Sequence, residues 1–328
     1  MTTKDQLINF LSESRGNFIS GGMLAKKLGI TRAAVSKHVK RLTEAGFRIT
    51  SVTGKGYCFH GESDSLLPSV ILSGLKTSVF GKGEIRHYDE ILSTNTSAME
   101  MAVTGSAEGA LVIAEHQSAG KGRKGRFWHS DRGKSISLSM ILRPFMVPEE
   151  AQLITLLTGI TVAETLKKTV GINAVIKWPN DVYVNGRKIT GILTEIGMET
   201  DQVDYMVVGA GINVYQNLSD FPAELREKAT SVILESETHR DEAGLRPMIV
   251  RDFLKRFEKA YIEAKRNGFG GVLKAWEAMD WLKNKPVSVD MIRKSFTGRA
   301  VGIDETGALL VDAGSEIRRV FSGDVQPL

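Results

Sequence analysis

Along this 328-residue chain the spacing of apolar positions shifts between helical and strand-like periods, and each shift predicts an element boundary. Over residues 3 to 14, Leu7, Ile8 and Leu11 fall on one helical face. Ser20 is placed to cap a second helix that stops at Gly29. Thr31 is placed to cap a third, running to about Ala45, in which Val35, Val39 and Leu42 recur at i, i+4 and i+7 and face inward. Arg32, Ser36, Lys37, Lys40 and Arg41 are then left facing outward. After Gly46, the run FRITSVTGKGYCF reads as two short strands around Gly54-Lys55-Gly56. Three helices, a short turn before the third and a basic hairpin make a winged helix-turn-helix. Its third helix would enter a DNA major groove, and Lys55 at the wing tip would touch phosphate. The plainer reading is a helical interaction module with a solvated basic face.

Turn formers and a proline in HGESDSLLP, residues 60 to 68, predict a linker. Beyond it the pattern mixes strands and helices. Candidate strands are ALVIAEH, SISLSMIL, AVIKW, DVYV, KITGILTEI and YMVVGAGINVY; candidate helices cover 149 to 169 and 247 to 267. Asn185-Gly186, between DVYV and RKITGIL, is a type I′ hairpin signal, so part of the sheet is antiparallel. Strands and helices do not alternate regularly, which argues against a doubly wound parallel fold. From Lys285 onward short strands and a Glu305-Thr306-Gly307 turn predict a small β-barrel.

Charge sharpens the first of these expectations. Residues 1 to 60 carry ten Lys/Arg against Asp5, Glu13 and Glu44, a balance of +7 in a chain whose formal net charge is +5. A basic head on a nearly neutral body suits a polyanion-binding module joined to something with another task. Cys58 is the only cysteine, which excludes an intramolecular disulfide and a multi-cysteine metal site. No apolar run approaches the roughly 20 residues of a bilayer span, and MTTKDQLINF has no apolar signal core, so no membrane association and a cytoplasmic location are expected.

Four stretches carry candidate chemistry. In AGKGRKGRFW, residues 119 to 128, Gly120, Gly122 and Gly125 allow backbone N–H groups to approach a ligand, while Lys121, Arg123, Lys124 and Arg126 supply positive charge suited to phosphate or carboxylate. The segment does not match the phosphate-binding pattern GxxxxGK[ST], and its plain reading is a solvated basic turn. Trp128 suits either stacking on a base or core packing. In Lys177-Trp178-Pro179-Asn180-Asp181, proline stiffens a bend at a strand end. Lys177 leaves a buried run and needs an anion or a route to solvent; Asn180 and Asp181 are turn formers or ligands for a metal or hydroxyl. Gly209-Ala210-Gly211-Ile212-Asn213 is a strand open to close approach, with Asn213 able to read a base edge. Ser93-Thr94-Asn95-Thr96 opens a helix, as a cap or as a polar ligand site. The histidines, His116 and His129 included, show no metal spacing.

In this order and combination the stretches resemble the biotin-protein ligase family, specifically its bifunctional members that also repress biotin synthesis genes. The resemblance covers nearly the whole chain and rests on KWPND, with the glycine-arginine loop upstream and GAGIN downstream. It implies an α+β multidomain fold: a winged helix over 1–62, a catalytic domain over 63–282 with a mixed sheet like that of class II aminoacyl-tRNA synthetases, and an SH3-like barrel over 283–328. It further implies that Ser93, Thr94, Asn95 and Gln117 hold the biotin ureido ring, and that residues 120 to 126, among them Gly120, Lys121, Gly122 and Arg123, order over biotin and the α-phosphate. Lys177, with Arg123 and Arg126, would be catalytic, and Trp128, Asn180 and Asn213 would hold the nucleotide. ATP carrying Mg²⁺, with no protein-held metal, the biotin carboxyl carrier protein as acceptor, operator DNA and a homodimer formed with biotinyl-AMP are the implied partners. Where the family loop reads GRGRRGR, Lys121 and Lys124 replace arginines here; a lysine keeps the charge and loses the bidentate fork. A lipoate-type ligase, or a repressor that keeps the pocket only to sense an effector, are the competing readings.

Overall fold

A computed structural model of the chain describes residues 3–44, 47–62, 64–199, 201–236, 238, 244–291 and 294–328. These residues divide into two units, 1–75 with 241–248, and 76–240 with 249–328.

In the first unit, α1 (Thr3–Glu13), the two-residue strand β1 (Phe18–Ile19), α2 (Gly21–Leu28) and α3 (Arg32–Glu44) precede the hairpin of β2 (Phe47–Val52) and β3 (Gly56–Glu62). The caps act as their residue types predict. Ser20 Oγ accepts from Met23 N and Thr31 Oγ1 from Ala34 N, both at 3.1 Å, and Gly29 ends α2 in the left-handed region. Leu7, Leu11, Leu24, Val35, Val39 and Leu42 form one core with Phe47 and Phe59 of the hairpin. The expected end of α3 at Ala45, and Gly46 after it, lie outside the described residues. The linker expected from residue 60 begins later, because β3 runs to Glu62 and α4 (Pro68–Leu72) occupies its far end. Arg32, Ser36, Lys37, Lys40, Arg41 and Lys55 are all exposed.

The second unit is built on a seven-stranded mixed sheet. Its elements are β4 (Ile85–Tyr88), α5 (Thr94–Val103), β5 (Leu111–Ala114), β6 (Ser135–Leu142), α6 (Ala151–Val170), β7 (Val175–Lys177), β8 (Asp181–Val184), β9 (Arg187–Glu199) and β10 (Gln202–Asn213), followed by α7 (Val232–Glu235), α8 (Leu245–Asn267) from residue 249 onward, and α9 (Gly270–Glu277). The order is β4-β5-β6-β10-β9-β8-β7. Only β4 and β5 are parallel, joined by a crossover through α5; the other ladders of the sheet are antiparallel, with β7 to β10 following one another as hairpins and β10 returning beside β6. Asn185 and Gly186 both have positive φ, as a type I′ turn requires. Helix α6 is apolar nearly all round and covers the sheet face that carries Ile192 and Thr194. Helix α5 covers part of the opposite face, packing Ala98, Met101 and Ala102 on Val112, Ile141 and Val207.

The chain ends in a five-stranded antiparallel sheet of β11 (Pro286–Asp290), β12 (Ser295–Ile303), β13 (Leu309–Asp312), β14 (Ile317–Val320) and β15 (Asp324–Pro327), ordered β14-β13-β12-β11-β15. Asp304 holds the β12–β13 turn, its Oδ1 accepting from Thr306 N, Thr306 Oγ1 and Ala308 N at 2.7–3.0 Å. Among the described residues no helix is long and apolar enough to cross a membrane.

Two carboxylates set stability in this unit. Glu258 of α8 is 7% exposed and accepts from the backbone N–H groups of Ser78, Val79 and Phe80. Burial by itself raises its pKa; those hydrogen bonds outweigh it and the net shift is downward. Replacing Glu258 by Ala removes the acceptor of three backbone donors, of which Phe80 N–H belongs to a buried residue, and is expected to lower the unfolding free energy by about 1–2 kcal/mol in chemical denaturation. Asp280, in the turn after α9, has the opposite sign: burial pushes it up to about 6, against a smaller opposing pull from Leu282 N–H and Lys283. With the folded pKa above the unfolded one, its charge opposes folding above about pH 6, and that cost fades as pH falls toward 4. Asp280→Asn is expected to stabilise the protein by about 1–2 kcal/mol at pH 8, less than the shift alone would convert to because solvent reaches the group. The gain should vanish near pH 4 in melts run across that range.

Candidate functional site

The sheet face left open beside α5 forms the floor of a cavity of about 310 Å³. The period of two in SISLSMIL puts Ser135, Ser137 and Ser139 of β6 on one side, and Ser137 lines the cavity. Ser139 Oγ lies 2.8 Å from Thr94 Oγ1 and 2.7 Å from Asn95 Oδ1. Thr94 donates to Gln117 Oε1 from its backbone N–H (2.8 Å) and its hydroxyl (3.1 Å), and Gln117 Nε2 donates to Ser137 Oγ at 3.2 Å. Asn95 Nδ2 donates to the Leu193 carbonyl and to Glu195. A buried network with its members paired holds fixed geometry. Ser93 occupies the N-cap position of α5, but its side chain makes no capping bond, and the residue lines the cavity.

Glycines on β10 admit neighbouring side chains. A Cβ at Gly209 would lie 2.0 Å from Asn95 Oδ1, and one at Gly211 would lie 2.4 Å from the Trp128 ring. The indole therefore rests flat against the sheet beside Lys188, whose Nζ is 5.6 Å from the ring centroid. Close approach was the expectation for this strand; the groups that exploit it are protein side chains as well as the cavity. Asn213, beyond the glycines, is buried, and its Nδ2 donates to the Thr230 carbonyl at 2.9 Å.

Residues 120 to 128 fold into a tight loop closed by Trp128 N to Gly120 O (2.8 Å) and Gly122 N to Arg126 O (2.7 Å), with Lys124 and Gly125 at positive φ at its crown. The loop is tied down by its cations. Arg126 and Lys124 both pair with Asp324 of β15, and Arg123 Nη1 donates to Asn180 Oδ1 at 3.2 Å. Lys121, Gly122, Arg123 and Arg126 line the cavity. Lys121 is exposed.

The other cation comes from the bend. Trp178 is buried, its Nε1 donating to Gly307 O at 2.9 Å, and the Trp178–Pro179 peptide is cis. Gln152 Nε2 donates to Pro179 O, and Asn180 Nδ2 to Ile192 O at 2.7 Å, so the bend is held from α6 and from β9. Lys177 is 6% exposed, and its Nζ donates to Gln326 Oε1 of β15 at 2.7 Å. The same Nζ lies 5.3 Å from the Tyr183 ring and 5.7 Å from the Trp281 ring. Among the described residues no carboxylate lies within 4.0 Å of it. Burial pushes the Lys177 ammonium and the Arg123 guanidinium down from their ordinary values, with Asp181 pulling each partly back. Burial, then the Asp181 charge, pushes the Tyr183 hydroxyl up. Asp181 itself pairs with Lys188 at 2.6 Å.

The cavity thus gathers Ser93, Thr94, Asn95, Gln117, Trp128, Lys177, Asn180 and Asn213 with the loop cations. Gly120 is not among the lining residues; its carbonyl closes the loop by accepting from Trp128 N. Sequence reasoning missed Ser137 and Ser139, although serines at alternate positions of a buried strand were a legible sign. It also missed Lys188, Asp324 and Gln326, which are brought in by pairing across long sequence separations.

The chain matches the model of the biotin/lipoate A/B protein ligase family over residues 89–213, an HTH domain over 3–58 and the biotin protein ligase C terminal domain over 284–326. It is 37% identical to a bifunctional ligase/repressor BirA of Bacillus subtilis, over 99% of this chain and 98% of the relative. A bifunctional ligase/repressor BirA of Escherichia coli is 32% identical, over 95% of this chain and 94% of the relative. Among solved structures, a biotin protein ligase from Aquifex aeolicus in complex with biotin and ATP is 25% identical with a TM-score of 0.62, covering 75% of this chain and 99% of that one. With that likeness running nearly end to end through head, cavity and terminal sheet, the chain belongs to the biotin/lipoate A/B protein ligase family, in its bifunctional ligase/repressor branch.

Proposed function

We propose that this protein is an ATP-dependent biotin-protein ligase that also represses transcription in response to biotin. The observation that carries the reading is the Lys177 ammonium, buried against a neutral amide and two ring faces, with its charge left for an anion in the same cavity as the Thr94–Gln117 network. Biotin would lie with its ureido ring on Ser93, Thr94, Asn95 and Gln117 and its carboxylate toward Lys177. ATP would set its adenine near Trp128, Asn180 and Asn213. A carboxylate oxygen attacks the α-phosphorus and pyrophosphate leaves, giving biotinyl-5′-AMP; an acceptor lysine amine then attacks the acyl carbon and AMP leaves.

Both reactants are anions, so the work of the site is to bring them together and to offset charge that builds on phosphate oxygens. Buried Lys177 and half-buried Arg123 are the cations available for this, and Arg126 joins them if Asp324 releases it. Mg²⁺ would arrive on the nucleotide: the cavity's own carboxylates, Asp181 and Asp324, already hold cations. No protein nucleophile is required. The acceptor is the biotin carboxyl carrier protein of acetyl-CoA carboxylase, and a homodimer favoured by biotinyl-AMP binds operator DNA through Arg32, Ser36, Lys37, Lys40, Arg41 and Lys55. The working parts are a winged helix over 1–62, the catalytic domain over 63–282 and an SH3-like barrel over 283–328, acting in the cytoplasm.

Pyrophosphate release on mixing the protein with biotin and ATP tests the ligase half; binding of biotin without release would leave only a sensor. Lipoate supplied in place of biotin should release none. Lys177→Gln is expected to reduce adenylate formation by at least about 100-fold, the scale for one oriented charge at a developing anion. For the repressor half, log affinity for operator DNA should fall with log salt by about 0.9 for each phosphate contact. A mobility-shift titration in increasing salt should give a slope near −9 for the homodimer if Arg32, Lys37, Lys40, Arg41 and Lys55 of both subunits engage, at about 0.9 each, and Lys55→Gln should make it shallower by about 1.8.

A further inference from the structure

We infer that Gln326 is a positioning residue for adenylation: its amide oxygen keeps the Lys177 ammonium charged and aimed at the cavity without cancelling the charge that an anionic substrate must meet. This rests on the ligase reading. Lys177 Nζ has one hydrogen-bond acceptor among the described residues, Gln326 Oε1 at 2.7 Å. The charged and titratable groups that face Lys177 are Asp181 and Tyr183 of β8, Lys188 of β9, Asp324 of β15 and Arg126 of the glycine loop. Both carboxylates are engaged elsewhere, Asp181 by Lys188 and Asp324 by Lys124 and Arg126.

The choice of an amide follows from two opposed requirements. A carboxylate at 326 would pair with Lys177, and an incoming carboxylate or phosphate would then have to displace it. An apolar side chain would leave ammonium hydrogens unmet in a site where burial already favours loss of the proton. An amide oxygen satisfies a donor and adds no charge. Strand geometry supplies its placement: Asp324 and Gln326 are two apart on β15, so both project to one side. One strand thereby presents an acid to the loop cations and an amide to the lysine. The ladder to β11, with Ser288 opposite Gln326 and Asp290 opposite Asp324, fixes their register.

The test compares full-length wild type, Gln326→Leu and Gln326→Glu in pyrophosphate release with biotin and ATP, as kcat and KM between about pH 7 and 10. Gln326→Leu should lower kcat by roughly tenfold at pH 8 and move the alkaline limb of kcat down by about one pH unit. Gln326→Glu, nearly isosteric, should raise the KM for biotin by roughly tenfold and move the alkaline limb up, because a carboxylate both holds the proton and competes for the charge. A glutamate variant with wild-type KM and pH profile overturns the inference, and it does so even if the leucine variant fails to fold. If the wild type itself releases no pyrophosphate, the ligase reading fails instead, so the two failures are separable.

Discussion

An ammonium removed from water costs free energy unless a neighbour restores what water supplied, and a neighbouring carboxylate would restore it at the expense of reactivity. Lys177 is held between those outcomes. Two aromatic faces and one amide surround it, and the anions nearby are engaged by other cations. Much of the second unit can be understood as the apparatus that keeps it there. The Trp178–Pro179 bend is anchored to α6 through Gln152, to β9 through Asn180 and to the terminal sheet through Gly307. Each anchor comes from a different layer, so the lysine is located by the fold as a whole.

The remainder of the cavity follows a complementary logic. Its floor is polar and neutral, built from hydroxyls and amides that satisfy one another, while its rim is cationic. A ligand with a neutral hydrogen-bonding head and an anionic tail matches that gradient. The glycines of β10 let the Trp128 indole and the Asn95 amide lie directly on the sheet, which keeps the floor close to the rim cations.

The local elements were legible because they obey local rules. Ser20, Thr31 and Gly29 cap helices as their types dictate, Asn185-Gly186 makes its turn, and the period in α3 separates its core from its basic face. What escaped notice depends on pairing between distant segments. The strand β1 has two residues and exists only because β3 lies beside it. Gln326 sits in a terminal segment with no motif, and its part emerges only when β15 adds to β11. Ser93 was plausible as a cap; the helix begins there, yet its side chain makes no capping bond, and the first N–H of α5 is taken by the Gln117 side chain.

The hydrogen bond between Lys177 and Gln326 joins residues 149 positions apart. During synthesis the sheet, the floor and the glycine loop all emerge well before the amide that steadies the lysine. A nascent chain can therefore form most of the cavity while Lys177 still lacks the amide that accepts from it.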